Sequence, residues 1–172
     1  MSGYRIRLAR PDDAEAFHRV EEDAAALLHD EPSLAGTVLP PIASASDHAR
    51  TIAKGRSLTA LHGEDVIGFA AIGAVGRDLH LAELSVARAH QRRGVGGLLL
   101  RAAMIDARNS GYRAITLNTY RDIPWNAPFY ARFGFVEVED VSGHPHLARS
   151  RDGATALDLP MDRRCAMILL LD

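Results

Sequence analysis

A short segment in the middle of the chain has the residue types and spacing of an anion-binding loop. Arg92 and Arg93 carry positive charge directly before the glycine-rich run GVGG at residues 94–97. Glycine lets backbone N–H groups approach a ligand closely, because it has no Cβ atom. An amphipathic helix is expected to begin near Val95, and a helix N-terminus offers unpaired N–H donors and the positive end of a dipole. The segment therefore predicts a site for a pyrophosphate or a similar anion.

The spacing of the glycines separates this loop from two common phosphate-binding motifs. Position 99 is Leu, so the G-x-G-x-x-G pattern of dinucleotide-binding folds is absent, and no G-K-[ST] ending of a P-loop follows. The segment instead resembles the Q/R-x-x-G-x-G/A acetyl-coenzyme A signature of the GNAT acetyltransferases, with Gln91, Gly94 and Gly96 at its defined positions. Residues 130–135, YARFGF, also match the Y-x-x-x-G-F motif of that family, in the expected order and spacing.

The resemblance implies a mixed α/β architecture, the GNAT fold. Its central mixed sheet has about six or seven strands, is mostly antiparallel, contains one parallel, splayed pair, and is flanked by helices. In that family the pantetheine arm of acetyl-CoA lies between the splayed strands, and its pyrophosphate binds the loop amides. By this resemblance, the residues that bind acetyl-CoA are Leu84, Val86, Arg92, Arg93, Gly94, Val95, Gly96 and Gly97.

Acyl transfer from a thioester to an amine needs a neutral amine and a proton for the departing thiolate. The resemblance implies that Tyr130 supplies this proton, since a phenol with a pKa of about 10 keeps its proton at neutral pH. The alternative is a Tyr that only packs a helix on the sheet. The family commonly has an Asn where this chain has Pro124. Asn126 therefore either contacts the pantetheine or caps the short helix that follows.

The general base is less determined by the motifs. Some relatives have a Glu in the strand after the phosphate-binding helix, but this chain has Asn118 there, which is a poor proton acceptor. Glu83 is the leading candidate, because it is a carboxylate in an apolar strand directly before the cofactor-binding backbone, where burial raises a carboxyl pKa. The alternative is an edge carboxylate paired with an Arg. Other candidates are Asp122, Glu21, His29, His80 and a water relay.

The elements that must position these residues follow from periodicity and turn residues. Pro11-Asp12-Asp13 predicts the start of a helix, and residues 30–41 are expected to be irregular. A strand at 79–86, a helix at 94–108 and a strand at 114–119 predict a right-handed crossover between parallel strands. The other predicted elements are strands at 4–9, 57–62, 66–75, 135–139 and 165–171, a short helix at 46–54, and another that ends at Arg132.

The segment 141–164 is predicted to be a long irregular connection, which in a compact domain is usually functional or mobile. It contains His144-Pro145-His146, which has poor spacing for a metal site because no Cys or carboxylate partner is near. We interpret it as a solvent-facing loop, with a lid over the acceptor as one expected role, and predict no metal.

Composition limits the class of protein. The 172 residues are expected to form one domain, 1–172, and a net charge of −2 argues against a nucleic-acid partner. No apolar run approaches the ~20 residues of a membrane span, and no leader is predicted. Cys165 is alone and is interpreted as a buried small residue, which suits a reducing cytoplasm. A cytoplasmic protein without a membrane partner is therefore expected.

These observations favour an N-acetyltransferase that moves an acetyl group from acetyl-CoA to a primary amine by direct attack in a ternary complex. The acceptor, a small molecule or a peptide or protein amine, cannot be read from the sequence. The alternative is a non-catalytic acyl-CoA binding or sensing module on the same fold, since binding and catalytic residues are separable. A generic phosphate or nucleotide binder leaves the Tyr130 motif unexplained. Relatives often dimerise, so a homodimer is one expected assembly.

Overall fold

The computed structural model describes residues 3–172 and contains one sheet of seven strands within that range, in the order β1-β2-β3-β4-β5-β7-β6. Neighbouring strands are antiparallel except β4 and β5, which are parallel. This confirms the predicted mixed, mostly antiparallel sheet. The strands are β1 (Tyr4–Leu8), β2 (Leu58–His62), β3 (Asp65–Val75), β4 (Asp78–Val86), β5 (Ala114–Tyr120), β6 (Val136–Val138) and β7 (Arg164–Leu170).

Helices cover both faces of the sheet. On one face, Phe17 of the first helix and Ile52 of the second pack against Phe69 of β3. On the other face, Leu99 and neighbouring residues of the third helix pack against Leu79 and other apolar residues of β2 to β5. The helices are α1 (Ala14–His29), α2 (Ala45–Ile52), α3 (Val95–Asn109), α4 (Ala127–Ala131) and α5 (Pro145–Ala156). None of them, within residues 3–172, is long and apolar enough to cross a membrane.

Asp13 fixes the start of α1 relative to the sheet. Its carboxylate is buried and accepts hydrogen bonds from Arg7 at 2.7 Å and from the backbone N–H of Arg10 at 2.8 Å. It also accepts one from Thr59 of β2 at 2.8 Å. A buried carboxylate with this many donors is well satisfied, so the direction of α1 is determined by polar contacts as well as by its apolar face.

Strand β4 contains one residue more than its partner requires. Ile72 pairs with Leu81 and Ala71 pairs with Glu83, so Ala82 has no partner in β3 and forms a β-bulge. On the other side, the parallel pairing with β5 ends at Leu81, although both strands continue for several residues. Beyond that point β4 and β5 separate. We call the gap between Ala82–Val86 and the end of β5 the wedge.

The prediction for residues 141–164 is wrong, because much of the segment is the helix α5. Pro145 occupies its first turn, where a fixed φ and a missing N–H carry no penalty. Leu147 is fully buried against Val141 and Ala166 and attaches the helix to the sheet.

The His144-Pro145-His146 sequence is therefore not a solvent-facing loop. His146 Nε2 lies 2.8 Å from Thr116 Oγ1, and His80 Nδ1 lies 3.0 Å from the same hydroxyl. His144 is 3.6 Å from the Asp78 carboxylate. These histidines join the start of α5 to β4 and β5. Within residues 3–172, no group of His, Cys, Asp and Glu side chains is arranged to hold a metal ion.

Candidate active site

The wedge opens into a cavity of about 390 Å³. Its walls come from β4 and β5, from α1 and the segment after it, and from α4. Several of the residues singled out from the sequence line it, among them Glu21, Glu83, Asn126 and Tyr130. Leu84 and Val86 also line it, at the part of β4 that is not paired with β5. The end of the parallel pairing thus creates the space into which these residues project.

Glu83 lies on the cavity side of the sheet because of the bulge at Ala82. Its carboxylate accepts a hydrogen bond from Ser85 Oγ at 2.7 Å. Burial, and then the nearby Glu21, raise the pKa of Glu83 from 4.5 to about 7. Among the described residues it has no ion pair with an Arg, so the alternative of an edge salt bridge is wrong. A carboxyl group with this pKa can accept a proton near neutral pH.

Glu21 and His48 form a second polar pair beside Glu83. Glu21 Oε2 and His48 Nε2 are hydrogen-bonded at 2.6 Å, and both side chains are buried. Glu21 also accepts from the backbone N–H of Ala43 at 3.3 Å, so α1, α2 and the segment before α2 meet at this carboxylate. His48 was not singled out from the sequence. The sequence contains one signal for its position: the Ser44–Asp47 capping box predicts the start of α2 and places His48 in its first turn.

Tyr130 lies on α4, in the wall of the same cavity. Its ring contacts the edges of Phe129 and Phe135, with ring centroids 5.2 and 5.7 Å apart. Burial, and then the charge of Glu83, raise the pKa of Tyr130 above its usual 10. The hydroxyl therefore keeps its proton at any physiological pH. Because Tyr130 and Glu83 both line the cavity, a proton donor and a proton acceptor lie in its wall.

Asn126 precedes α4 but its side chain does not cap that helix. Thr119 Oγ1 of β5 donates a hydrogen bond to Asn126 Oδ1 at 2.5 Å. This contact holds the amide against the cavity wall, and the amide Nδ2 donates to no acceptor in residues 3–172. Of the two roles expected from the sequence, a side-chain cap is wrong, and a contact to a ligand in the wedge stays a prediction.

The loop before α3 presents a row of backbone N–H groups. Arg92 and Gly94 have φ values of 60° and 83°, in the left-handed region that favours glycine. Gln91 Nε2 donates to the Val86 carbonyl at 2.8 Å and fixes the loop to the end of β4. The first helical bond runs from Leu98 N–H to the Gly94 carbonyl at 3.0 Å. In the described part of the chain, no N–H of residues 92–97 donates to a protein acceptor, as the anion-site prediction requires.

The other base candidates lie away from the cavity. Asp122 is exposed and pairs with Arg163 at 2.9 Å. His80 lies under α5, His29 is exposed near the end of α1, and neither is part of the cavity wall. Asn118 lines the cavity, but its Nδ2 donates to Ser150 of α5 at 2.9 Å. The cavity therefore retains the buried Glu21 and the partly buried Glu83 as base candidates.

Comparison with known proteins agrees with this arrangement. Residues 53–137, which include β4, the loop, α3, β5 and α4, match the acetyltransferase (GNAT) domain family. The fold is similar to that of Ard1 from Thermoplasma volcanium, with a TM-score of 0.71 and 17% identity over 99% of both chains.

It is also similar to the ribosomal-protein-S18-alanine N-acetyltransferase of Escherichia coli, with a TM-score of 0.70 and 16% identity over 98% of this chain and 94% of that chain. A GNAT family acetyltransferase from Brucella melitensis in complex with acetyl-CoA is 26% identical over 79% of this chain and 84% of that chain, with a TM-score of 0.56.

Proposed function

Because this chain belongs to the GNAT acetyltransferase family, we propose that it transfers an acetyl group from acetyl-CoA to the nitrogen of a primary amine. The transfer occurs by direct attack while both substrates are bound. The loop amides of residues 92–97 bind the pyrophosphate, with Arg92 and Arg93 beside it. The unpaired edge of β4 at Leu84 and Val86, together with Asn126, binds the pantetheine arm. A sheet edge binds an extended amide chain well, because both carry alternating donors and acceptors.

Glu83 prepares the acceptor. A primary amine arrives mostly as an ammonium ion, and Glu83 removes one proton directly or through water. The neutral nitrogen then attacks the thioester carbonyl carbon and forms a tetrahedral oxyanion. A second proton leaves the nitrogen as the amide forms.

Tyr130 completes the reaction at the sulfur. As the carbon–sulfur bond breaks, the electron pair goes to the sulfur, and the Tyr130 hydroxyl donates its proton there. The proton lost from the nitrogen restores the phenol. The sum is an ammonium ion and acetyl-CoA giving an amide, coenzyme A and one proton, so atoms and charge balance.

One observation carries the proposal of catalysis over binding alone. Glu83 and Tyr130 line one cavity, and burial raises the pKa of both groups. The carboxyl group becomes a better base, and the phenol stays protonated, so that it can donate a proton as negative charge develops on the sulfur. A module that only binds acyl-CoA gains nothing from a partly buried carboxylate at this position, because its ionisation lowers stability.

Thiol release from acetyl-CoA in the presence of an amine panel tests the proposal. We expect release that depends on the amine, and calorimetric binding of coenzyme A in its absence. Binding without release by any amine of the panel would favour the non-catalytic acyl-CoA module. Absence of binding would contradict both functions.

A further inference from the structure

The cavity contains a cation without a counter-ion. Arg164, at the start of β7, is the only Arg or Lys among the described residues that line it. Its guanidinium carbon lies 4.9 Å from the centre of the Tyr120 ring, so the group stacks on that ring. Stacking leaves the N–H edges of a guanidinium free to bind a planar anion. Within residues 3–172, these N–H groups donate no hydrogen bond and no carboxylate lies within 4.0 Å.

A second cavity is lined by Arg164 together with Glu137 and the exposed Glu139. Among residues 3–172, neither carboxylate lies within 4.0 Å of the Arg164 guanidinium. Glu137 Oε1 accepts from Arg121 at 2.6 Å, which neutralises its charge. Arg164 therefore retains its positive charge toward the wedge.

Tyr120 adds a second unsatisfied group at the same place. Its side chain is fully buried, it lines the cavity, and its hydroxyl has no hydrogen-bond partner among the described residues. A buried hydroxyl normally has a partner, because leaving it unpaired costs about 1–3 kcal/mol. Tyr120 pairs with Arg164 across β5 and β7, so the two groups belong to one location.

The opposite side of the wedge has the opposite charge. Glu83 lies on β4, and Glu21 lies above it on α1, whereas Tyr120 and Arg164 lie on β5 and β7. A cavity with carboxylates on one side and a free guanidinium and phenol on the other matches a ligand with separate positive and negative ends. A single guanidinium is balanced by a monoanion, which favours a carboxylate over a phosphate dianion.

We propose that the acceptor is a primary amine that also carries a carboxylate, as an amino acid does. Arg164 binds its carboxylate beside the buried, unpaired hydroxyl of Tyr120, while its amine lies near Glu83. This inference rests on the proposed acetyl transfer and names its substrate class.

Matched acceptors test the carboxylate directly. Thiol release is measured with L-leucine, L-leucinamide and isopentylamine, and with 4-aminobutyrate and butylamine, so that the spacing of the two ends also varies. We expect kcat/KM to be about 10-fold to 100-fold higher for the best amino carboxylate than for the matched amine that lacks the carboxylate, the range of a charge-assisted hydrogen bond.

Substitution of Arg164 separates carboxylate binding from catalysis. Arg164→Gln should raise KM for the amino carboxylate about 10-fold or more, leave kcat nearly unchanged, and leave coenzyme A binding as in the parent. Arg164→Lys should restore part of the loss, and Tyr120→Phe should give a smaller increase in KM. Arg149→Gln is the matched control, because Arg149 is exposed on α5 and lines neither cavity.

The outcomes are distinguishable. Equal use of L-leucine, its amide and its decarboxylated amine by the parent protein would overturn the inference while acetyl transfer stands. If Arg164→Gln lowers kcat/KM equally for acceptors with and without a carboxylate, the inference is also overturned, since a purely structural role of Arg164 gives that result. If coenzyme A binds but no acceptor reacts, the proposed function fails and this inference fails with it.

Discussion

Glu83 pairs with Ala71 across the β3–β4 ladder, on the face of the sheet that carries α1 and α2. In a regular strand, residues 79, 81 and 83 would share one face. Leu79 and Leu81 pack against α3 on the opposite face, so the extra residue at Ala82 reverses the alternation. One bulge therefore brings the carboxylate to the cavity at the position where β4 and β5 separate.

Glu83→Gln should lower activity with little effect on coenzyme A affinity. In the parent, kcat/KM should fall about tenfold per pH unit below the carboxyl pKa of about 7, because the protonated acid cannot act as a base. At pH 8 the kcat/KM of the variant should be about 10²-fold lower than that of the parent, and its pH profile should lack the decrease below pH 7. A pH–rate profile with one acceptor measures both effects, with Glu22→Gln on the exposed side of α1 as the control. Superimposable profiles would remove Glu83 from the mechanism.

The same substitution should stabilise the fold at alkaline pH. In the folded protein the pKa of Glu83 is raised from 4.5 to about 7. The contribution of this shift to the free energy of unfolding is therefore fully present below pH 4.5 and is lost as the pH rises to 7. The loss in the parent is at most about 3 kcal/mol. Urea unfolding at pH 5 and pH 8 should show a smaller decrease for Glu83→Gln than for the parent. An identical decrease in both proteins would mean that Glu83 is not the group that titrates.

Tyr130→Phe should lower kcat by roughly 10²-fold while the affinity for coenzyme A stays nearly the same. Phe keeps the ring contacts with Phe129 and Phe135, so the substitution removes only the proton donor. Tyr112→Phe, at a tyrosine that does not line the cavity, is the matched control. A Tyr130→Phe variant that turns over at the parent rate would show that Tyr130 only packs α4 against the sheet.

Gly96→Trp should weaken coenzyme A binding at least about tenfold, because the indole would cover the unpaired N–H groups of residues 92–97. A Cβ at Gly96 lies 3.6 Å from Phe129, an ordinary contact, so the backbone need not move. Gly153→Trp, in open space on α5, serves as the control. Calorimetry gives both dissociation constants. Unchanged binding in a folded Gly96→Trp protein would place the pyrophosphate elsewhere.

Much of the fold could be predicted from the sequence because its signals are local. The alternation in β1, the Pro-Asp-Asp start before α1 and the glycines before α3 each act over a few neighbouring residues. The crossover of β4, α3 and β5 follows from their order and the handedness of such units. These signals correctly predicted the parallel pair and the loop that opens α3.

The rest depends on contacts that no local pattern contains. The bulge at Ala82 is defined by its partners in β3, so alternation within β4 cannot indicate which face Glu83 occupies. The pairing of Glu21 with His48 requires α1 and α2 to be packed, since the residues are far apart in the chain. Helix α5 was missed because its apolar stripe is weak, and its buried anchor is the single residue Leu147.

The wedge also divides the sheet into two half-sheets. Among residues 3–172, strands β1–β4 and strands β5–β7 are joined by strand pairing only along Asp78–Leu81 and Ala114–Leu117. Arg113 and the histidines beside Asp78 and Thr116 lie at this joint. The angle between the two half-sheets at this joint therefore determines how far apart β4 and β5 lie beyond it. We expect a substitution at Asp78 or Thr116 to change the width of the cavity without altering any residue that lines it.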